Sequence, residues 1–169
     1  MRITNVHERI VDAKPEAAGR LVDGLSGPAD RLWPTAHWPA QRFDRALGVG
    51  AKGGHGPIRY VVDAYEPGRH VSYGFVPPTG LHGRHWLDVV ADGGGGVRFR
   101  HVVFAEAGWV GWLRWALVVR WLHDALVEDA FDRAEQELTG RIRSPAQWSW
   151  WVRVLRWAWR PRSTATDRH

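Results

Sequence analysis

Two histidines, His85 and His101, occupy inward positions of predicted β-strands. Each lies two positions away from an apolar residue of the same strand: Leu87 follows His85, and Phe99 precedes His101. Side chains of a strand alternate between its two faces, so both imidazoles are expected on the apolar face. Because burial disfavours the charged form, each ring is expected to be neutral, with one donor and one acceptor nitrogen.

A neutral imidazole at such a position has three roles that the sequence leaves open. It could orient a carbonyl or hydroxyl of a ligand, act as a catalytic acid or base, or make one structural hydrogen bond in the core. The glycine turn at 92–96 pairs the two strands antiparallel, with residues whose numbers sum to about 187 opposite each other. His85 is then expected near Val102, and the two rings meet only if a bulge or the turn at 93–96 shifts the register. His123, in a predicted helix, could reach the same place.

The residue spacings typical of metal sites, serine hydrolases and phosphate-binding loops do not occur in the sequence. Zinc or iron would require convergence of three or more of His55, His85, His101 and His123, and no His-x-His, His-x3-His or HExxH pair supports this. No serine lies in a G-x-S-x-G turn, and the glycines at 48–56 lack the spacing of a phosphate-binding loop. We therefore expect no metal and no cofactor.

The elements that position these histidines follow from the hydrophobic periodicity. Residues 2–12 predict a strand, Pro15 begins a helix that runs to about Leu25, and a short helix is expected at 29–32. Residues 34–57 are expected to be loop. Four strands joined by tight turns are predicted within 58–106, which indicates an antiparallel meander. The pattern predicts an α+β fold, in which a curved antiparallel sheet wraps around one long C-terminal helix.

That long helix is predicted over residues 109–138, where apolar side chains recur at helical spacing. Its first half, 109–122, is apolar nearly all round and too short to span a bilayer. We therefore expect this half to be buried on several sides.

Three local motifs accompany this order of elements: Ala-Lys-Pro-Glu at 13–16, Tyr-Glu-Pro-Gly-Arg at 65–69, and Ala-Phe-Asp-Arg-Ala-Glu at 130–135. Together they resemble the START-like (SRPBCC) superfamily, which includes polyketide cyclases and lipid-transfer domains, over about residues 2–139. The resemblance implies a helix-grip fold with an apolar cavity between the sheet and the helix. It further implies binding of a hydrophobic small molecule that is lipid- or polyketide-like. The alternative is a cyclase/dehydratase-type enzyme that uses His85 or His101 as acid or base.

Aromatic side chains on the inward faces are the candidate walls of that cavity, although the same spacing fits an ordinary core. Trp33 and Trp38 form an aromatic loop that could gate the cavity or plug it. The predicted ligand contacts are Tyr60, Tyr73, Phe75, His85, Phe99, His101, Trp112, Trp115 and His123.

The positive net charge of +5 comes from the C-terminal segment. Residues 141–169 contain seven arginines and one aspartate, which leaves 16 basic and 17 acidic residues in 1–140. A near-neutral body without a recognisable motif argues against nucleic-acid binding. We therefore divide the chain into a ligand-binding domain, 1–140, and a basic tail, 141–169.

Within the tail, residues 146–160 predict an amphipathic helix. Such a helix fits the surface of an anionic membrane, or its tryptophan face packs on the domain or on a second copy in a homodimer. A tethering or protein-interaction module acting through the tail is the third functional hypothesis. Deleting 141–169 is expected to leave a folded body that no longer binds anionic vesicles. The predicted contacts are Trp148, Trp151 and Trp159 on one side, and Arg153, Arg156 and Arg160 on the other.

The cellular compartment is indicated only weakly by composition. The chain contains no cysteine, which excludes a disulfide framework and thiolate metal sites. Polar residues follow Met1 directly, so no signal peptide is expected at this point. We expect a cytoplasmic protein, with peripheral attachment to the inner face of the membrane as the alternative.

Overall fold

The computed structural model describes residues 1–159, so Arg160 of the predicted tail contacts lies outside the described part. Seven strands and four α-helices follow one another in the order β-α-β-β-β-β-β-β-α-α-α. The strands are β1 Arg2–Val11, β2 Arg42–Phe43, β3 Lys52–His55, β4 Ile58–Glu66, β5 His70–Phe75, β6 His82–Ala91 and β7 Val97–Glu106. The helices are α1 Pro15–Asp23, α2 Trp109–Arg114, α3 Arg120–Thr139 and α4 Trp150–Ala158.

The seven strands form one antiparallel sheet in the order β1-β7-β6-β5-β4-β3-β2. The predicted α+β helix-grip fold is confirmed, because this curved sheet packs against the long C-terminal helix. Strands β2 and β3 lie in the segment that was expected to be loop. A Cβ at Gly53 would come within 1.9 Å of the Arg42 carbonyl oxygen, so this pairing needs glycine rather than alternating apolar side chains.

The segment after α1 contains no second helix, contrary to the expectation for 29–32. The helix α1 ends at Asp23, and the carboxylate of Asp30 accepts hydrogen bonds from the backbone N–H groups of Ser26, Leu32 and Trp33. An aspartate side chain that binds nearby backbone donors stabilises a turn in place of a helix.

The long helix is continuous over 31 residues, with a π-helical segment, Trp115–Val119, between α2 and α3. The expectation that its first half is buried on several sides is wrong. Trp109 and Val110 are 72% and 61% exposed, and Leu113 and Leu117 are also exposed. Only one face of this half meets the sheet, through the buried Trp115. Gly140, at φ +74°, ends the helix in the left-handed conformation.

The main core lies where the sheet meets α1 and α3, with Val22, Val71, Phe99 and Phe131 almost fully buried. The helix α1 is held against the β4–β5 hairpin by Asp23. Its carboxylate accepts hydrogen bonds from the hydroxyl of Tyr65 (2.8 Å) and the backbone N–H of Gly68 (2.7 Å). The hairpin motif at 65–69 therefore has a structural role.

Charged side chains join β1 to α3 across one edge of this core. The guanidinium of Arg9 donates hydrogen bonds to Glu128 (2.9 Å), Asp132 (3.0 Å) and Glu135 (3.2 Å). Glu135 is only 3% exposed, so this ion cluster is partly buried.

The C-terminal helix α4 packs on the body, which is one of the alternatives left open for the tail. Its Val152 is 3% exposed and lies in a cluster with Trp38, Leu122 and Leu126. Arg156 does not lie on a separate solvent face as expected. Its guanidinium lies 4.5 Å from the ring centroid of Trp38 and 4.3 Å from that of Trp148, because a delocalised cation stacks well on aromatic rings.

Candidate ligand-binding site

A cavity of about 340 Å³ lies between the concave face of the sheet and the long helix. The loop before β2 and the helix α4 cover the rest of it. The sheet contributes Tyr73, Phe75, His85, Leu87, His101 and Val103, and the long helix contributes Trp115, Leu122, His123, Leu126, Ala130 and Phe131.

Six of the nine predicted ligand contacts line this cavity: Tyr73, Phe75, His85, His101, Trp115 and His123. Tyr60, Phe99 and Trp112 do not, and their expected positions on the wall are corrected. Tyr60 is 1% exposed and its hydroxyl oxygen accepts a hydrogen bond from Gln41 Nε2 at 2.8 Å. Phe99 packs on Phe131 in the core, and Trp112 faces outward, 36% exposed.

The imidazoles of His85 and His101 are in direct contact. The Nδ1 of His85 lies 3.3 Å from Nε2 of His101, so one ring donates a hydrogen bond to the other. The strands pair without a bulge here, with Val103 opposite His85 and Leu87 opposite His101. The register is therefore one residue away from the expected pairing of His85 with Val102, without a bulge, and the two rings meet from diagonal positions of the ladder.

Burial keeps the rings in the cavity neutral. Removal from water lowers the pKa of both His85 and His101 well below the ordinary value of 6.5, and the nearby His123 lowers both further. Burial similarly lowers the pKa of His55, on β3, to about 3. The neutral state expected from the strand pattern therefore holds for His85 and His101, and burial has the same effect on His55.

Buried polar atoms without partners are concentrated around the cavity. Among the described residues, seven such side-chain atoms occur, and five belong to residues that line it. A buried polar atom without a hydrogen bond costs about 1–3 kcal/mol, so such clusters call for an explanation. The five atoms are Gln41 Oε1, the Tyr73 hydroxyl oxygen, His85 Nε2, His101 Nδ1 and His123 Nδ1.

Gln41 was not singled out from the sequence, because it lies in a loop without periodicity. It is 5% exposed and lines the cavity between Trp38 and the sheet. Its position directly after the proline- and tryptophan-rich loop is the only sequence signal that could have pointed to it.

The most exposed residues of the cavity lining include Pro57, Arg114 and Trp159. The aromatic loop contributes Trp33 and Trp38 to the wall. The indole of Trp38 donates a hydrogen bond to Asp129 at 2.7 Å, which anchors the loop to α3. The loop is therefore part of the cavity wall.

One further cluster, between β1 and α3, has the chemistry of a metal site. In the described part of the chain, His7, His123 and Asp124 form the one group of three ligand atoms lying within 4.8 Å of one another. Burial lowers the pKa of His7, but hydrogen bonds with Asp124 and Glu128 outweigh it and raise that pKa to about 9. The strand pattern alone did not draw attention to His7.

A curved antiparallel sheet that grips a C-terminal helix around a cavity defines the helix-grip class of α+β proteins. The family described as polyketide cyclase / dehydrase and lipid transport matches residues 2–139. The chain belongs to this family, within the START-like superfamily that its motifs resemble. No curated protein matches the sequence at a significant level.

Solved structures with the same fold share little sequence with this chain. CalU16 from Micromonospora echinospora is 15% identical, with 92% of this chain and 82% of that one covered and a TM-score of 0.57. A protein from Thermobifida fusca is 14% identical, with coverages of 85% and 99% and a TM-score of 0.62. Norcoclaurine synthase from Thalictrum flavum, in complex with dopamine and hydroxybenzaldehyde, is 12% identical, with coverages of 80% and 86% and a TM-score of 0.61. These likenesses show the fold alone.

Proposed function

We propose that the protein binds a flat, apolar small molecule that carries several hydrogen-bonding oxygens, as polyketides do. The observation that carries this proposal is the set of five unpaired polar atoms on residues that line a predominantly apolar cavity. The volume of about 340 Å³ lies at the lower end of the range for small-molecule sites.

The polarity of the wall favours an oxygenated ligand over a lipid chain. A saturated acyl chain would leave the five atoms unpaired, whereas ligand carbonyls and hydroxyls would pair with imidazole nitrogens and the Tyr73 hydroxyl once these buried groups turn toward the cavity. The rings of Tyr73 and Phe75 stack on His85 with centroids 4.8 and 5.0 Å away. Such a parallel arrangement favours a planar ring system beside it.

Calorimetric titration tests this preference. We expect a hydroxylated polycyclic quinone to bind more tightly than a saturated fatty acid. Tyr73→Phe and His85→Gln should each weaken quinone binding by up to about tenfold, the value of one hydrogen bond, and leave fatty-acid binding unchanged. His82→Gln is the matched control, since His82 lies on the same strand but is exposed. Tighter fatty-acid binding, insensitive to Tyr73→Phe, would contradict the proposal.

The second candidate function is cyclase/dehydratase-type catalysis in the same cavity. It is favoured by the contact between His85 and His101, since each ring keeps a second, unpaired nitrogen. Such a pair can take a proton from one ligand atom and return one to another as water leaves. Mass spectrometry separates the candidates: a binder returns its ligand unchanged, whereas an enzyme releases a dehydrated product that His101→Gln abolishes.

Attachment to an anionic membrane, or to a second copy in a homodimer, is the third candidate. It is supported by exposed tryptophans: Trp150 is 73% and Trp157 74% exposed, and Arg153 beside them is exposed too. The indole of Trp151 donates a hydrogen bond to the Leu117 carbonyl at 2.9 Å, which places the helix α4 next to the exposed part of the long helix. No helix in the described part of the chain has the length and apolarity needed to cross a bilayer.

Co-sedimentation with vesicles tests the membrane candidate. We expect binding to vesicles rich in phosphatidylglycerol and not to neutral ones, with most of it lost in the double variant Trp150→Ser, Trp157→Ser. Val49→Ser, an exposed apolar position in the loop before β3, should leave binding unchanged. Equal sedimentation of the double variant and Val49→Ser would reject a membrane role. Analytical ultracentrifugation of the same variants shows whether this surface instead joins two copies.

A further inference from the structure

The ligand atoms of His7, His123 and Asp124 have separations that suit a tetrahedral metal ion. Nε2 of His7 lies 3.1 Å from Oδ1 of Asp124, and Nδ1 of His123 lies 3.6 Å from the same oxygen. Around zinc, with bonds of about 2.0–2.1 Å, two tetrahedral ligand atoms lie about 3.3–3.4 Å apart. The two observed separations lie on either side of this value, and all three atoms fall within 4.8 Å of one another.

Two buried acceptor groups beside Asp124 lack hydrogen-bond partners. Nδ1 of His123 has none, since 3.6 Å from Asp124 is beyond hydrogen-bonding distance. Asn5 donates through Nδ2 to Oδ1 of Asp124 at 3.0 Å, while its own Oδ1 is buried without a partner. An unpaired imidazole nitrogen and an unpaired amide oxygen flanking a carboxylate form an environment that suits a cation.

A second layer of side chains supports the candidate ligands. Nδ1 of His7 lies 2.7 Å from Oε1 of Glu128, whose other oxygen accepts a hydrogen bond from Arg9 at 2.9 Å. Metal-bound histidines characteristically donate their other ring N–H to a carboxylate in this way. The contact leaves Nε2 of His7 as the nitrogen directed at Asp124.

We propose that His7, His123 and Asp124 bind one divalent transition-metal ion, with zinc the best fit, and that Glu128 positions His7. Nε2 of His7 and Oδ1 of Asp124 already lie 3.1 Å apart, so a metal ion would take the place of this direct contact. The site lies between β1 and α3 and shares only His123 with the cavity, whose other four unpaired atoms remain available to the ligand. It departs from the expectation of no metal, because only the packing of β1 against α3 brings His7 to His123 and Asp124, and no local spacing in the sequence shows this.

Metal titration of the intact protein, after removal of bound ions with a chelator, tests this site. We expect one Zn²⁺ per chain by calorimetry, and Co²⁺ should give the intense visible bands of four-coordinate cobalt. His123→Gln should abolish both signals, and Glu128→Gln should weaken Zn²⁺ binding about 10–100-fold. His70→Gln is the matched control, because His70 is also half-buried and contacts a carboxylate, Asp88, at 2.6 Å.

His123→Gln is the decisive variant because it removes no hydrogen bond, whereas His7→Gln breaks two contacts and risks unfolding. Circular dichroism confirms that each variant is folded. The proposal is overturned if the wild-type protein binds no stoichiometric Zn²⁺, or if His123→Gln binds it as tightly as His70→Gln. Failure of quinone binding would leave this result untouched, since the two experiments share no readout.

Discussion

Arg9→Met should lower the free energy of unfolding by about 2–3 kcal/mol, less than the cost of about 3–5 kcal/mol for breaking a fully buried ion pair, because this cluster is only partly buried. Arg9 binds carboxylates of Glu128, Asp132 and Glu135, and the last of these is 3% exposed. Without the guanidinium, three acidic groups on one face of α3 repel one another. Arg143 approaches Glu135 only at 3.8 Å and does not replace the lost hydrogen bonds.

Urea unfolding followed by circular dichroism measures this effect. Arg98→Met is the control, since Arg98 forms a more exposed pair with Glu8 across β1 and β7. Removing an exposed pair costs about 0–1 kcal/mol. Similar small losses for both variants would show that the Arg9 cluster does not hold β1 to α3.

Val152→Asp should detach α4 and lower the free energy of unfolding by about 2–4 kcal/mol. Val152 is 3% exposed among Trp38, Leu122 and Leu126, where a carboxylate finds no water. Arg156 and Trp159 of the same segment line the cavity. Detachment therefore opens the cavity, and quinone binding should weaken at least about tenfold, or about 1.4 kcal/mol.

Val154→Asp is the matched control, because Val154 lies on the same helix but is 43% exposed. It should change neither stability nor binding appreciably. If Val152→Asp behaves like Val154→Asp, α4 is not part of the ligand-binding unit. The same packing revises the deletion experiment expected from the sequence, since removing 141–169 would uncover Trp38 and Leu122 as well as remove the tail.

Regular alternation made most of the fold predictable. Strands β4 to β7 and the long helix follow from periods of two and 3.6 residues, which are local consequences of backbone geometry. Strands β2 and β3 were missed because Gly53 and Gly54 pair through close backbone approach and carry no side chains to alternate. The exposure of Trp109 and Leu117 was also missed. A helix segment that is apolar on all sides is predicted to be buried, and its sequence does not show which face is actually covered.

Strand parity alone placed His85 and His101 on the inner face of the sheet, since the direction of a side chain in a strand depends only on its position. Three features depend on the register of the ladder and on how α3 lies across β1. They are the contact between the two rings, the position of Gln41 in the cavity lining, and the contact of His7 with Asp124. Each of these features brings together residues that are far apart in the chain, so the local periodicity of the sequence does not predict it. Packing of the sheet against the helix therefore determines the chemistry of this protein, while local periodicity determines which residues are available for it.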